Sequence, residues 1–421
     1  MLQRIRETDQ RMLTILLVVF VQFVGASMAI PILPMMAQRE FDLSPPVITR
    51  IIASFFVAQF LVSPLLGWLS ERYGRVPVLI FCEVGTVVSF IMMFFAQSVP
   101  MLFASRIIDG LTGGNTVIAQ AYVIDITPKE KRTQALGMLY AAFGIGFVLG
   151  PALGGVLSGL FGTRVPFLIA AIGATVVVWM TVRNVNETMT PEQRLSNQSL
   201  GKVNLSIPDI FTNLPMLTIL LIVFVLQVGF GMLQATFALY GMNVWFAGYD
   251  PKIADLGVGL LLSVIGIGQA FTQFFLLRRW IERFGEGGLV VIGNLFRMIA
   301  FYLIAIVTMP LLGVPPLFMF SIGTGLLLPS LQSMITKSVE ERYRGSALGW
   351  FQSVTSLGTI VSTFYGGVLF AKEPTLPFML GASLNALIVI PSLLLWWWIR
   401  NHPEAKADTL DPTDVQQVAG D

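Results

Sequence analysis

Twelve long apolar runs divide this chain, and their length leaves few folds open. They lie near residues 12–37, 47–69, 77–97, 101–124, 133–160, 165–184, 214–245, 256–280, 288–309, 312–336, 345–371 and 376–399. A helix needs roughly 20 apolar residues to cross the hydrocarbon core of a bilayer, so the longer runs are expected to tilt or protrude. Inside hydrocarbon every backbone N–H and C=O must find a partner within the protein, which leaves helices and closed barrels. A barrel needs alternating segments of about ten residues, and the sequence has none. Only 12% of the 421 residues are charged, against about 25% in soluble domains. The expected class is all-α: a polytopic membrane protein with twelve transmembrane helices.

The positions of the charges orient the chain. With both termini cytoplasmic, 19 of the 26 Lys and Arg fall inside; Arg39, Arg50, Arg164, Lys252 and Lys372 fall outside. Basic loops stay on the cytoplasmic side, so a multi-pass protein of the plasma or inner membrane is expected. The first run is too long for a signal-peptide core, and no cleavable leader is expected. Cys82 is the one cysteine, His402 the one histidine, and no nucleotide loop appears. No disulfide, metal, cofactor, nucleic-acid partner or enzymatic centre is therefore expected.

The chain repeats itself. Glu71-Arg72-Tyr73-Gly74 matches Glu282-Arg283-Phe284-Gly285 at an offset of 211. Arg132 to Gly137 matches Arg344 to Gly349, and Gly154-Gly155-Val156-Leu157 matches Gly366-Gly367-Val368-Leu369, both at 212. One shared offset in three places marks an internal duplication. The expected organisation is a six-helix bundle over 1–183, a cytoplasmic linker over 184–213, a second six-helix bundle over 214–400 and a disordered tail over 401–421. A short amphipathic turn near Ile207 to Phe211 is expected on the membrane surface.

Gly146, Gly150 and Gly154 fall four apart on the fifth span, followed by Gly155. They form a smooth strip on which a neighbouring backbone can pack closely, and Pro151 removes a donor and bends the helix. Generic packing is one reading of this strip. The longer pattern Gly-x-x-x-Gly-Pro-x-x-Gly-Gly resembles the antiporter signature of drug:proton antiporters in the major facilitator superfamily. Gly67-Trp-Leu-Ser-Glu71-Arg72-Tyr-Gly74-Arg75 resembles that family's loop signature between spans two and three, with Glu71 in place of the usual aspartate. Arg106-x-x-x-Gly110-x-x-Gly113-Gly114 resembles its span-four signature. Asp125-Ile-Thr-Pro128-x-Glu130-x-Arg132 is similar to tetracycline exporters and related twelve-span drug exporters. The resemblance implies the major facilitator fold and proton-coupled export of lipophilic or amphipathic small molecules. It also implies a latch of Gly67, Glu71, Arg72, Gly74, Arg75 and Asp125 that holds the halves together on the cytoplasmic side.

Four charges lie inside the membrane: Arg106, Asp109, Glu83 and, one turn after Asn294, the repeat mate of Glu83, Arg297. Arg106 and Asp109 are three apart on one helical face, and each costs about 3 kcal/mol at a helix centre. They are either a mutually satisfied structural pair or part of proton coupling, the role the resemblance implies for Arg106. Glu83 is either a second proton carrier or a partner for a nearby arginine, the latter favoured; Asp109 is ranked above it as carrier. Gln22 stands where many related exporters carry an aspartate, and an amide cannot titrate.

Gln227, Gln234, Gln269, Gln332 and Gln352 recur in the second half. With Gln22 they are candidates for orienting a substrate, or they hydrogen-bond between helices. Phe224, Phe230, Met232 and Phe237 suit an adaptable apolar pocket. The expected function is secondary export by alternating access, with a small molecule, protons and membrane lipids as partners and the monomer as the unit. An uptake symporter or uniporter is the alternative. The second half has Ser362-Thr363 where the first has Gly150-Pro151, so a bulky residue is expected to do more harm at 150.

Overall fold

The computed structural model describes residues 2–128, 132–188, 213–339 and 344–401. The proposed surface turn, most of the linker and the tail after Asn401 lie outside those residues, as does Glu130. The described residues fold as helices. The first three spans are Leu2–Phe41, Pro45–Tyr73 and Arg75–Phe94. The fourth is Val99–Leu111 followed by Asn115–Ile126, the fifth Arg132–Phe161 and the sixth Val165–Asn184. The seventh is Leu214–Tyr240, continued as a π-helical turn over Gly241–Trp245. The eighth starts with Pro251–Phe271, and the helix Leu277–Ile306 carries its end and the whole ninth span. The tenth and eleventh are Val314–Lys337 and Arg344–Lys372, and the twelfth is Leu376–Leu387 with Val389–Asn401.

Ten helical stretches among the described residues are long and apolar enough to cross a membrane. One of them, Pro251–Ile306, has 56 residues. It is divided at Gly285, which has φ 69° and ψ 168°. Its repeat mate Gly74, with φ 109° and ψ 158°, is the single residue between the second and third spans. A positive φ is cheap only for glycine, so one glycine suffices to turn the chain in each half. The fourth span falls short of the crossing length as one helix because it breaks at residues 112–114. Dividing the long stretch and joining the broken pair gives twelve segments, in the places the apolar runs predict.

Neighbouring spans pack in matching order in the two halves. The first lies on the fifth and sixth, the second on the fourth; the seventh lies on the eleventh and twelfth, the eighth on the tenth. The fifth span also packs on the eighth, and the second on the eleventh. Those two contacts join the first six spans to the last six.

Candidate functional site

A cavity of about 270 Å³ lies among the first, second, third, fourth and fifth spans and reaches the seventh at Gln234. Aromatic and amide side chains line it, among them Phe55, Phe90, Phe147, Gln22, Gln59 and Gln234. A smaller void shares Ile30, Phe147 and Gln234 with it and extends to Phe230, Leu262 and Ile265 of the other half. Apolar walls with a few polar groups are the usual make-up of a small-molecule site.

The polar end of this cavity is built by the broken fourth span. Gly110 lets it approach the second span so closely that a methyl group there would lie 2.7 Å from the Ala58 Cβ. Gln59 donates from Nε2 to the Gly113 carbonyl at 3.1 Å, fixing the break against the second span. Just before the break Arg106 and Asp109 face each other, with Nη1 3.1 Å from Oδ2. Arg106 donates from Nη2 to the Ser89 hydroxyl at 3.0 Å. Arg106 is 5% exposed and Asp109 6%, and both line the cavity. The pair thus offsets the cost of burying either charge alone, at a place a substrate can reach.

Glu83 stands elsewhere. Its Oε1 accepts from the Thr181 hydroxyl of the sixth span at 2.9 Å, and that contact takes the place of the arginine expected beside it. The repeat mate Asn294 donates to the Asn385 carbonyl at 3.0 Å. One turn on, the buried Arg297 donates to the Leu226 carbonyl at 2.6 Å and lies 4.9 Å from the Phe320 ring centre.

The fifth-span glycines face two ways. At Gly146, Gly150 and Gly154 an added methyl group would meet the first span, lying 3.0 Å from the Phe20 carbonyl, 2.7 Å from that of Val24 and 3.3 Å from that of Met28. At Gly155 it would lie 2.6 Å from the Asp255 carbonyl, on the eighth span. One helix thus binds its own half through one glycine face and the opposite half through another.

Beside Gly155, Arg39 and Asp255 form an ion pair across the halves at 2.6 Å. Ser158 donates to the second carboxylate oxygen at 2.6 Å. Arg39 closes the first span and Asp255 opens the eighth, so these contacts share one end of the molecule. The cluster around Arg75 lies at the other, about 40 Å away along the 29-residue second span. There Arg75 approaches Asp125 at 3.3 Å and donates to Ser70 at 2.8 Å. Arg72 stacks on Trp68 at 5.1 Å. The Glu187 carboxylate accepts from the backbone N–H groups of Arg75 and Val76, each at 3.1 Å. An anion at a helix N-terminus is favoured by the dipole and the free donors. Gly67 has open space around it.

Of the six glutamines, Gln22 and Gln234 line the cavity. Gln227 donates to Thr359 at 2.9 Å, an interhelical bond. Gln269, Gln332 and Gln352 lie outside the lining, the last two exposed. Sequence reasoning passed over Gln59, Thr86 and Asn115 in the cavity, and Glu187, Arg39 and Asp255 at the two ends. A polar residue inside an apolar run was the available signal for the first three.

The description of the Major Facilitator Superfamily matches residues 15–250 and 235–417. The chain belongs to this superfamily. The tetracycline resistance protein, class H, of Pasteurella multocida is 27% identical over 390 residues, 91% of this chain and 95% of that protein. Multidrug resistance protein 1 of Bacillus subtilis (strain 168) is 28% identical over 389 residues, 91% of this chain and 96% of that protein. The crystal structure of the human organic anion transporter TETRAN superposes with a TM-score of 0.67 at 20% identity, covering 91% of this chain and 99% of that one. That likeness bears on the fold, and the superfamily's helical architecture is what the described residues adopt.

Proposed function

We propose that this chain is a proton-coupled exporter of lipophilic or amphipathic small molecules, working by alternating access. The observation that carries the reading is the buried Arg106–Asp109 pair set into an aromatic and amide-lined cavity. A carboxylate there can exchange a proton where a substrate can displace its arginine. The full-length likeness to proteins named for tetracycline and multidrug resistance supports export. Alternating access would rock the first six spans against the last six, with the linker over 184–213 between bundles 1–183 and 214–400. With both termini in the cytoplasm, as the basic loops favour, the Arg39–Asp255 end faces outward and the Arg75–Asp125 end inward. The protein would sit in the plasma or inner membrane among lipids and act as a monomer.

The test is substrate-dependent proton release from the purified protein over a panel of cationic, neutral and anionic drugs, tetracycline among them. Release on binding, with uphill accumulation in vesicles carrying an imposed proton gradient, is the expected result. Transport that ignores the gradient would leave a uniporter, for which the uncharged Gln22 in the cavity is the supporting observation.

A further inference from the structure

Glu83 has no role in that scheme, yet it is buried at 2% exposure within the third span. One carboxylate oxygen accepts from Thr181; the other, Oε2, has no hydrogen-bond partner among the described residues. A buried polar atom left unpaired is costly. Against Glu83 lies a void of about 10 Å³, bounded by Gln22, Thr86, Ala174 and Val177. That is about the space a single buried water takes, and such a water needs two to four polar partners. The Glu83 carboxylate, the Gln22 amide and the Thr86 hydroxyl supply three kinds of partner, while Ala174 and Val177 close the rest.

The same walls reach the cavity. Gln22 and Thr86 line it together with Asp109. The Thr86 hydroxyl lies 3.3 Å from the Cys82 carbonyl of its own helix and accepts from the Asn115 amide at 3.5 Å, and it also interacts with the Asp109 carboxylate. Of the groups that titrate or carry charge, Cys82 precedes Glu83 on the third span, and Arg106 and Asp109 stand on the fourth, in the lining of the larger cavity. The first span offers Gln22 and the sixth Thr181, and neither titrates.

We propose that one water bound between Glu83, Gln22 and Thr86 joins Glu83 to Asp109 as a single two-acid proton site. This rests on the proton-coupled reading. The protonated Glu83 gives its proton to the water as the water gives one of its own to the Thr86 hydroxyl. Thr86 passes its hydroxyl proton to the Asp109 carboxylate. Glu83 ends as carboxylate and Asp109 as acid, with the water and Thr86 unchanged. Gln22 needs no charge in this arrangement, because an amide both donates to and accepts from the water.

Infrared difference spectroscopy on the full-length protein after a pH jump tests the link without any substrate. Glu83→Gln and Asp109→Asn each remove one carboxyl band and so assign the two. In the wild type, both bands should change together, with a water band that shifts in heavy-oxygen water. In Thr86→Val with Gln22→Leu, the water band should vanish and the two carboxyl rates should separate at least tenfold. Thr86→Ser, which keeps the hydroxyl, should behave as wild type and shows that loss of packing is not the cause. A wild type without the water band, or bands that stay together in the double variant, overturns the proposal. Tetracycline export by the same wild-type sample is scored separately: failure there with the infrared result intact overturns the export reading and leaves the water link standing.

Discussion

Ser27 of the first span and Gly150 of the fifth meet with no room for a side chain at 150, since an added methyl group would overlap the Ser27 hydroxyl. The second half makes the same contact with the partners exchanged: there the glycine is Gly231 on the seventh span and the hydroxyl is Ser362 on the eleventh. Ser27 Oγ lies 2.6 Å from the Phe23 carbonyl of its own helix and 3.0 Å from the Gly146 carbonyl of the fifth span, and Ser362 donates to the Thr359 carbonyl of its own helix at 2.9 Å. Each half thus keeps one small partner and one hydroxyl at this crossing, whichever helix supplies them.

That exchange changes what the Gly-Pro asymmetry predicts. Ser362 is fully buried, so Ser362→Leu has no more room than Gly150→Leu. Overpacking of this kind costs typically 1–3 kcal/mol and shifts backbones. Both variants should lose transport and melt earlier in detergent, in place of the milder effect expected at 362. Gly150→Ser should also be damaging, and adding Ser27→Gly should restore it by copying the second-half arrangement. A double variant no better than Gly150→Ser would show that the hydroxyl contact is not what sets the spacing.

The inner-end cluster makes a second expectation. Asp125→Asn or Arg75→Ala removes a charge-assisted pair of about 1–3 kcal/mol and should shift the protein toward states open at that end. Glu187→Gln weakens the cap on the third span, a loss of about 0.5–2 kcal/mol. It should shift the protein the same way. Spin-label distances between the two halves at that end are the measurement, and unchanged distributions in all three variants would exclude the cluster as a latch.

The spans were legible because hydrocarbon permits so little: a long apolar run has only the helix open to it. Gly74 and Gly285 were legible as a repeated motif, and the structure supplies their reason, a positive φ at each turn. The break at residues 112–114 was not, because Gly113 and Gly114 read as part of a family signature and apolar residues continue on both sides. The glutamines show why a site is harder to read than a fold. Gln22 and Gln234 reach the cavity, whereas Gln227 is spent on Thr359. Nothing in the periodicity of one helix says which neighbour its polar side chain meets. Arg39 and Asp255 are 216 positions apart, each at the flank of a different span. In the sequence Arg39 is one of the few outward basic residues, and nothing there singles out Asp255 as its partner.

The proton assignment gives a third expectation. Asn has nearly the shape of Asp and keeps a hydrogen-bond acceptor toward Arg106, so Asp109→Asn should retain drug binding and downhill exchange. It should abolish accumulation driven by an imposed proton gradient, because the cavity acid is gone. Arg106→Lys should slow transport by about tenfold or more, since a single ammonium cannot hold Ser89 and Asp109 in the arginine's planar geometry. Uphill transport by Asp109→Asn at the wild-type rate would remove Asp109 from the coupling path.

The outer-end pair makes the last. Asp255 is 2% exposed, whereas the Arg39 side chain is 30% exposed. The aspartate therefore carries most of the desolvation, and the pair with Ser158 is what offsets it. Asp255→Asn removes the charge and weakens both contacts. A loss of about 2 kcal/mol, within the range for hydrogen bonds to charged groups, would change the ratio of closed to open states about 30-fold at that end. Arg39→Gln should have a smaller effect of the same sign, because its partner retains the Ser158 hydroxyl. Labels at Ser44 and Tyr249, which are exposed on opposite halves of that end, should report longer distances in both variants. The double variant should add little to Asp255→Asn alone, since contacting partners are not additive. Full additivity would mean that Arg39 and Asp255 act through separate contacts and that the ion pair does not hold the outer end shut.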